Sequence, residues 1–207
     1  MTAVRKWIKI TPDTAVADGV RLFTERKDDE DMLVYAYRQA INDYPKFFKM
    51  DGLSRLGFVA SELLLADTDA RSEPRENRAV VFFGCAGSIS NDRNYQNTIK
   101  DADNFYPSPA IFVYTLPNIV TGEIAIRNKL YGETSFYVLD EWSPSTMVRT
   151  IETTFDSDAA TTECICGWVE YRAKGDFEAE LLLLTRQQDD GSQKLTEQLL
   201  NEIRNKK

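Results

Sequence analysis

The sequence predicts an α/β fold: a mixed five-stranded sheet with helices on both faces, formed by residues 1–207 as one domain. Three observations carry this expectation. Strand-like and helix-like segments alternate in the order strand, helix, strand, helix, strand, helix, strand, strand, helix, which builds a sheet covered on both sides. The stretch RAVVFFGC is a continuous run of β-branched and aromatic residues closed by Gly84, the pattern of a strand buried on both faces. The chain has 207 residues, 43% of them hydrophobic, enough for one sizeable core.

Taken in order, VRKWIKI (Val4 to Ile10) sets apolar Val4, Trp7, Ile8 and Ile10 against Arg5, Lys6 and Lys9, and reads as a strand. Residues 11–31 are polar, hold Pro12 and Gly19, and read as loop, with RKDDED as a solvated charge run. Leu33, Tyr37, Ala40 and Ile41 have helical spacing, Asp31 suits the N-cap, and Pro45 ends or kinks the helix. Leu53, Leu56, Ala60, Leu63 and Leu64 mark a second amphipathic helix. Residues 67–77 read as loop, and the buried strand at Arg78 follows. NDRNYQNTIKDADNFYPS is a polar connector with one helical turn around Tyr95 to Ile99.

The next stretch, SPAIFVYTLPNIVTGEIAI, is almost uncharged. AIFVYT reads as extended or irregular, and Pro117 starts a helix from Asn118 to about Lys129. Its apolar positions (Ile119, Val120, Ile124, Ala125, Ile126) cover more than one stripe, so deep burial is expected. Gly122 inside a helix costs about 1 kcal/mol against alanine, which close approach of another backbone would offset. Thr134 to Asp140 is a strand. Ser143 and Pro144 suit the N-cap and first position of a helix with Met147, Val148, Ile151 and Phe155 on its apolar face. ECICGWVEY and DFEAELLLLT are strands joined by a hairpin at Lys174-Gly175. Residues 192–207 form a C-terminal helix with Leu195, Leu199, Leu200 and Ile203 inward.

Composition excludes several function classes. Lys plus Arg is 25, Asp plus Glu is 33, and the formal charge is −8, so no nucleic-acid partner is expected. No apolar stretch approaches the ~20 residues of a membrane helix, and MTAVRKWIKIT lacks the layout of a signal peptide. Three cysteines without a disulfide-rich arrangement fit a reducing, cytoplasmic setting. The chain has no histidine, which removes imidazole acid/base chemistry, Ser–His and Cys–His pairs and histidine-ligated zinc. Cys85, Cys164 and Cys166 read as small core residues. Neither a metal site nor a cofactor is expected: Cys164-x-Cys166 has no second pair, and GCAGS fits no phosphate-loop spacing. Adjacent Asp140 and Glu141 read as a complement to a helix dipole.

Three stretches carry a resemblance. FKMDGLSRLGFVASELLLAD, RAVVFFGCAGSISNDRNY and above all SPAIFVYTLPNIVTGEIAIRNKLYGETSFYVL resemble the N-terminal half of β-ketoacyl synthases, from about Lys49 to Val138. The resemblance implies a single thiolase-like half, similar to the β-ketoacyl synthase N-terminal domain. It implies that Pro117 and Asn118 begin a helix beside a dimer interface. It also implies that Gly122 lets this helix pack close to the sheet. The strand holding Ser135, Phe136 and Val138 would pair with its two-fold mate.

The departures from the family are as informative. Active members carry a nucleophilic cysteine in the turn after that strand, at a helix N-terminus that lowers its pKa. Counting from Ser135 and Phe136 places Trp142 there, or Glu141 with a one-residue gap. The two histidines of the family's second half have no counterpart in these 207 residues. No catalytic residue is therefore expected. The resemblance implies an inactive subunit of a fatty-acid or polyketide condensing system, much as chain-length factors keep the fold and lose the cysteine. Such a subunit would pair with itself or with a full-length ketosynthase, and the helix at Asn118 and Trp142 would shape an acyl tunnel. The alternatives are a shared active site completed by a partner chain, and a free-standing binder of acyl groups or an acyl carrier protein.

Overall fold

A computed structural model describes residues 2–27, 29–68, 73–103, 105–186 and 193–206. It contains the five expected strands in one mixed sheet: β1 (Ala3–Ile10), β4 (Arg78–Gly84), β5 (Thr134–Val138), β6 (Glu163–Ala173) and β7 (Asp176–Thr185). Three short strands extend it: β2 (Ala15–Ala17), β3 (Val20–Arg21) and β8 (Gln193–Lys194). The strand order is β3-β2-β1-β7-β6-β4-β5, with β8 on β1. Strands β5, β4 and β6 run parallel, while β6, β7 and β1 are antiparallel neighbours. The β6–β7 hairpin turns at Lys174-Gly175, where Gly175 has φ 82°, a conformation that favours glycine.

The period of two sorts the strands onto two cores. Val80, Phe82, Ile165, Val169, Leu181 and Leu183 face helices α1 (Met32–Ala40), α2 (Gly52–Leu64) and α5 (Ile119–Asn128). Ala79, Val81, Phe83, Cys164, Cys166, Trp168, Leu182 and Leu184 face α6 (Pro144–Ser157) and α7 (Glu197–Arg204). One row crosses the second face in register: Lys9, Glu180, Trp168, Phe83, Tyr137. It starts with a charge pair and ends in aromatics at the β5 edge.

Several elements depart from the sequence reading. Residues 11–31 are not all loop, since β2 and β3 fall within them. Asp31 caps α1 as expected, accepting from Val34 N at 3.0 Å; within RKDDED, Lys27 and Asp29 are exposed, Arg26 donates to the Pro12 carbonyl at 3.0 Å, and Asp28 lies outside the described residues. Pro45 opens a 3₁₀ turn, Pro45–Lys49, instead of ending α1. The connector after β4 forms a full helix, α3 (Ile89–Ile99). AIFVYT is helical too, in α4 (Pro109–Val113), where Ser108 is the N-cap and Pro109 holds the first position. The segment 192–207 holds β8 as well as α7. Of the expected 67–77 loop, residues 69–72 lie outside the described residues, as do 192 and 207.

Helix α5 is amphipathic, not buried all round. Val120, Thr121, Glu123, Ile124 and Asn128 are buried, while Ile126 is 69% exposed. Gly122 does not serve close packing: a Cβ there would meet nothing within 4 Å. The close approach belongs to Gly57 on α2, where a Cβ would sit 2.4 Å from Val120 Cγ2. Among the described residues, no helix is long and apolar enough to cross a membrane.

Candidate functional site

The connection from β4 reaches α5 on the first face of the sheet, whereas β5 leads into α6 on the second. Neighbouring parallel strands whose connections leave in opposite directions open a crevice at their carboxyl ends, the usual ligand position in an open α/β sheet. Residues 84–88 and 139–143 border this crevice.

Glu170, at the end of β6, holds the first border. Its buried carboxylate accepts from the backbone N–H of Cys85 at 2.7 Å and of Ala86 at 3.0 Å. It also pairs with Arg172 at 3.2 Å. The Leu139 N–H donates to the Gly84 carbonyl at 2.9 Å and ties the second border to the first. A Cβ on Gly87 would lie 3.5 Å from Val138 and 3.7 Å from Pro117, so these three residues meet at the rim.

Trp142 leaves the rim and packs on the second face. Its ring meets Trp168 edge-on with centroids 5.3 Å apart, and its Nε1 donates to Asn201 Oδ1 at 2.9 Å. The Arg204 guanidinium lies 4.3 Å from the Trp142 ring centroid and 5.7 Å from that of Trp168, in cation–π contact. Arg204 also pairs with Glu178 at 2.5 Å and with Glu180 at 3.5 Å. Lys9 Nζ stands 4.0 Å from Glu180 and donates to the carbonyls of Arg204 and Lys206, at the C-terminal end of α7. Burial, and then the nearby Glu178, push the Glu180 carboxyl up to about 7, against the opposing pull of Arg204 and Lys9.

The expected site residues therefore separate. Pro117 and Val138 share the rim. Asn118 is the exposed N-cap of α5, and Gly122 lies one turn on. Phe136 packs into the first core, and Ser135 Oγ donates to Glu133 Oε1 at 2.8 Å. Trp142 packs against the second core, so it and α5 lie on opposite faces of the sheet. Exposed Asp140 and Glu141 precede α6, whose first turn holds no acidic residue, so they do not complement its dipole from within the helix.

Among the described residues, no hydrogen bond joins a nucleophile to a base at the crevice. Burial, and then the Glu170 carboxylate, push the Cys85 thiol up, away from the thiolate form. The N–H groups of Cys85 and Ala86 are occupied by Glu170, so they are not free to stabilise an oxyanion. Cys164 and Cys166 are fully buried. Among the described residues, no group of three Cys, Asp or Glu side chains could hold a metal ion. Sequence reading passed over Glu170, Glu180, Lys9 and Arg204. A signal was present for the two acids: in ECICGWVEY and DFEAELLLLT a period of two puts them in line with Trp168 and Leu182, at core positions.

No protein-family model matches the chain, and no curated protein matches it in sequence. Solved structures do match. The ishigamide ketosynthase/chain length factor superposes with a TM-score of 0.66 at 18% identity, covering 93% of this chain and 63% of that one. A ketosynthase (ApeO) in complex with its chain length factor (ApeC) from Xenorhabdus doucetiae gives 0.56 at 15% identity, covering 90% and 79%. A β-ketoacyl synthase from Burkholderia phymatum STM815 gives 0.54 at 12% identity, covering 89% and 58%. The chain thus has the thiolase-like fold of these proteins and spans less than two thirds of the first.

Proposed function

We propose that the chain is a non-catalytic, ketosynthase-like subunit of a fatty-acid or polyketide condensing system. It pairs along β5 with a second chain of the same fold, either its own copy or a full-length ketosynthase. One observation carries this reading: β5 ends the sheet, and its residues Tyr137 and Val138, on opposite faces, are 39% and 56% exposed. An apolar parallel edge strand left open is a template for pairing. Phe112 and Val113 on α4, and Leu116 next to Pro117, are also exposed. Support comes further from the neighbours, two of which are ketosynthases described with chain length factors.

Trp142 takes the nucleophile's place after the strand. Held by Trp168, Asn201 and Arg204, it ties that turn to α7 and offers no reactive group. An acyl carrier protein is a partner of the assembled pair, because a chain of charge −8 repels an acidic carrier unless the partner supplies the basic surface. Co-purification with a full-length ketosynthase tests the pairing. Incubation with an acyl thioester, read by mass spectrometry, should leave this chain unmodified. A covalent adduct on Cys85 would overturn the non-catalytic reading, and chemistry on a pair whose activity needs this chain's crevice would favour a shared site instead.

A further inference from the structure

At the end of the sheet opposite the crevice lies a cavity of about 380 Å³, in the size range of small-ligand pockets. It sits where β4 and β6 begin, β7 ends and β1 starts. Its lining includes Arg5, Arg75, Arg186, Asn77, Thr162 and Glu163. Among the described residues it therefore presents three guanidiniums and one carboxylate, in a chain of charge −8.

The single carboxylate is heavily shared. Arg78 holds Glu163 Oε2 from Nη2 at 2.7 Å and from Nε at 3.0 Å. Arg75 reaches the same oxygen at 3.5 Å, and Arg5 reaches Oε1 at 3.4 Å. Arg78 is 2% exposed, and its buried Nη1 has no hydrogen-bond partner among the described residues. Arg75 and Arg5 both push its ionisation downward, in addition to burial. Arg186 donates to the carbonyls of Phe155, Asp158 and Thr161 and, among the described residues, pairs with no carboxylate. The fold builds this arrangement locally. The β1–β7 register shifts between Val4 and Lys6, making Arg5 the extra residue of a bulge, a device that re-aims a side chain. Asn77 is fixed by donating to Thr162 Oγ1 at 2.6 Å.

We propose that this cavity binds a tetrahedral oxyanion, either phosphate or the phosphate group of a small monoester. Arg5, Arg75 and Arg186 would contact it, with Asn77 as a neutral donor. A planar guanidinium suits the paired oxygens of phosphate. Several forks around one cavity match a group with more acceptor oxygens than a carboxylate has. The proposal is independent of the condensing-system reading.

The test is titration of the isotopically labelled chain with inorganic phosphate, ionic strength held constant with chloride, following the arginine Nε–H signals by NMR. Saturable shifts of Arg5, Arg75 and Arg186 are expected. The double variant Arg5→Ala/Arg75→Ala should weaken binding at least tenfold, and Arg172→Ala, at the other end of the sheet, should leave it unchanged. Arg5→Gln alone, at a half-exposed position, should weaken it severalfold while leaving the Arg78–Glu163 pair in place. In a parallel titration, glycerol 3-phosphate binding more tightly than phosphate marks the site as one for esters, and the reverse order marks it as one for the free ion. Shifts that stay linear, that acetate reproduces equally, or that survive both Arg5 variants would overturn the proposal.

Discussion

At the scale of single residues, Glu180 is, among the described residues, a group poised to titrate near neutrality in a chain that has no histidine. Its carboxyl is raised from 4.5 to about 7 by burial. The folded state therefore binds its proton more tightly than the unfolded state, and this group's contribution to stability falls as pH rises from about 4.5 through 7. The displacement corresponds to at most about 3 kcal/mol. Glu180→Gln should match the parent chain in urea midpoint near pH 5 and exceed it progressively up to pH 8. Parallel curves would remove Glu180 as the cause. Trp142→Ala should cost about 2–3 kcal/mol, near the lower end for a large aromatic because the ring is only half-buried. Trp142→Cys should produce no acyl loading, since the chain holds no histidine to activate the thiol. At this scale sequence alone located Trp142 but not its surroundings. Asn201 and Arg204 lie some 60 residues away, and only the docking of α7 brings them to it.

At the scale of elements, the two glycines of the α2–α5 region make opposite predictions. Gly57→Ala gains at most about 1 kcal/mol of helix propensity. It also forces a Cβ to within 2.4 Å of buried Val120, and overpacking of this kind costs about 1–3 kcal/mol. A net loss in the thermal or urea transition is expected. Gly122→Ala has open space in the single chain and should stabilise it by about 0.5–1 kcal/mol. If α5 lies against a partner, the same methyl should weaken association on dilution. On β5, Val138→Lys places a charge on a 56% exposed edge position. It should leave folding within about 0.5 kcal/mol and block strand pairing. The long strands and the amphipathic helices were legible because their periods are sustained. Helix α4 was not: its β-branched and aromatic residues mimic a strand, and the Ser108-Pro109 start was the clue that outweighed them. Strands β2 and β3 were hidden in a polar segment too short to show a period.

At the scale of the whole molecule, the open edge β5 borders the crevice at the parallel carboxyl ends, and the arginine cavity lies at the opposite end of the sheet. The general architecture followed from the alternation of strands and helices, and the fold of its structural neighbours supports it. What sequence could not supply was which helices lie on which face, the assignment that separates Trp142 from α5. Multi-angle light scattering of the chain alone and mixed with a full-length ketosynthase, beside the Val138→Lys variant, tests the proposal that β5 is a pairing strand. The expected result is twice the mass of the 207-residue chain, or the summed mass of the two proteins, with the monomer mass for the variant. A monomer in every mixture, or a pair that Val138→Lys leaves intact, would contradict it.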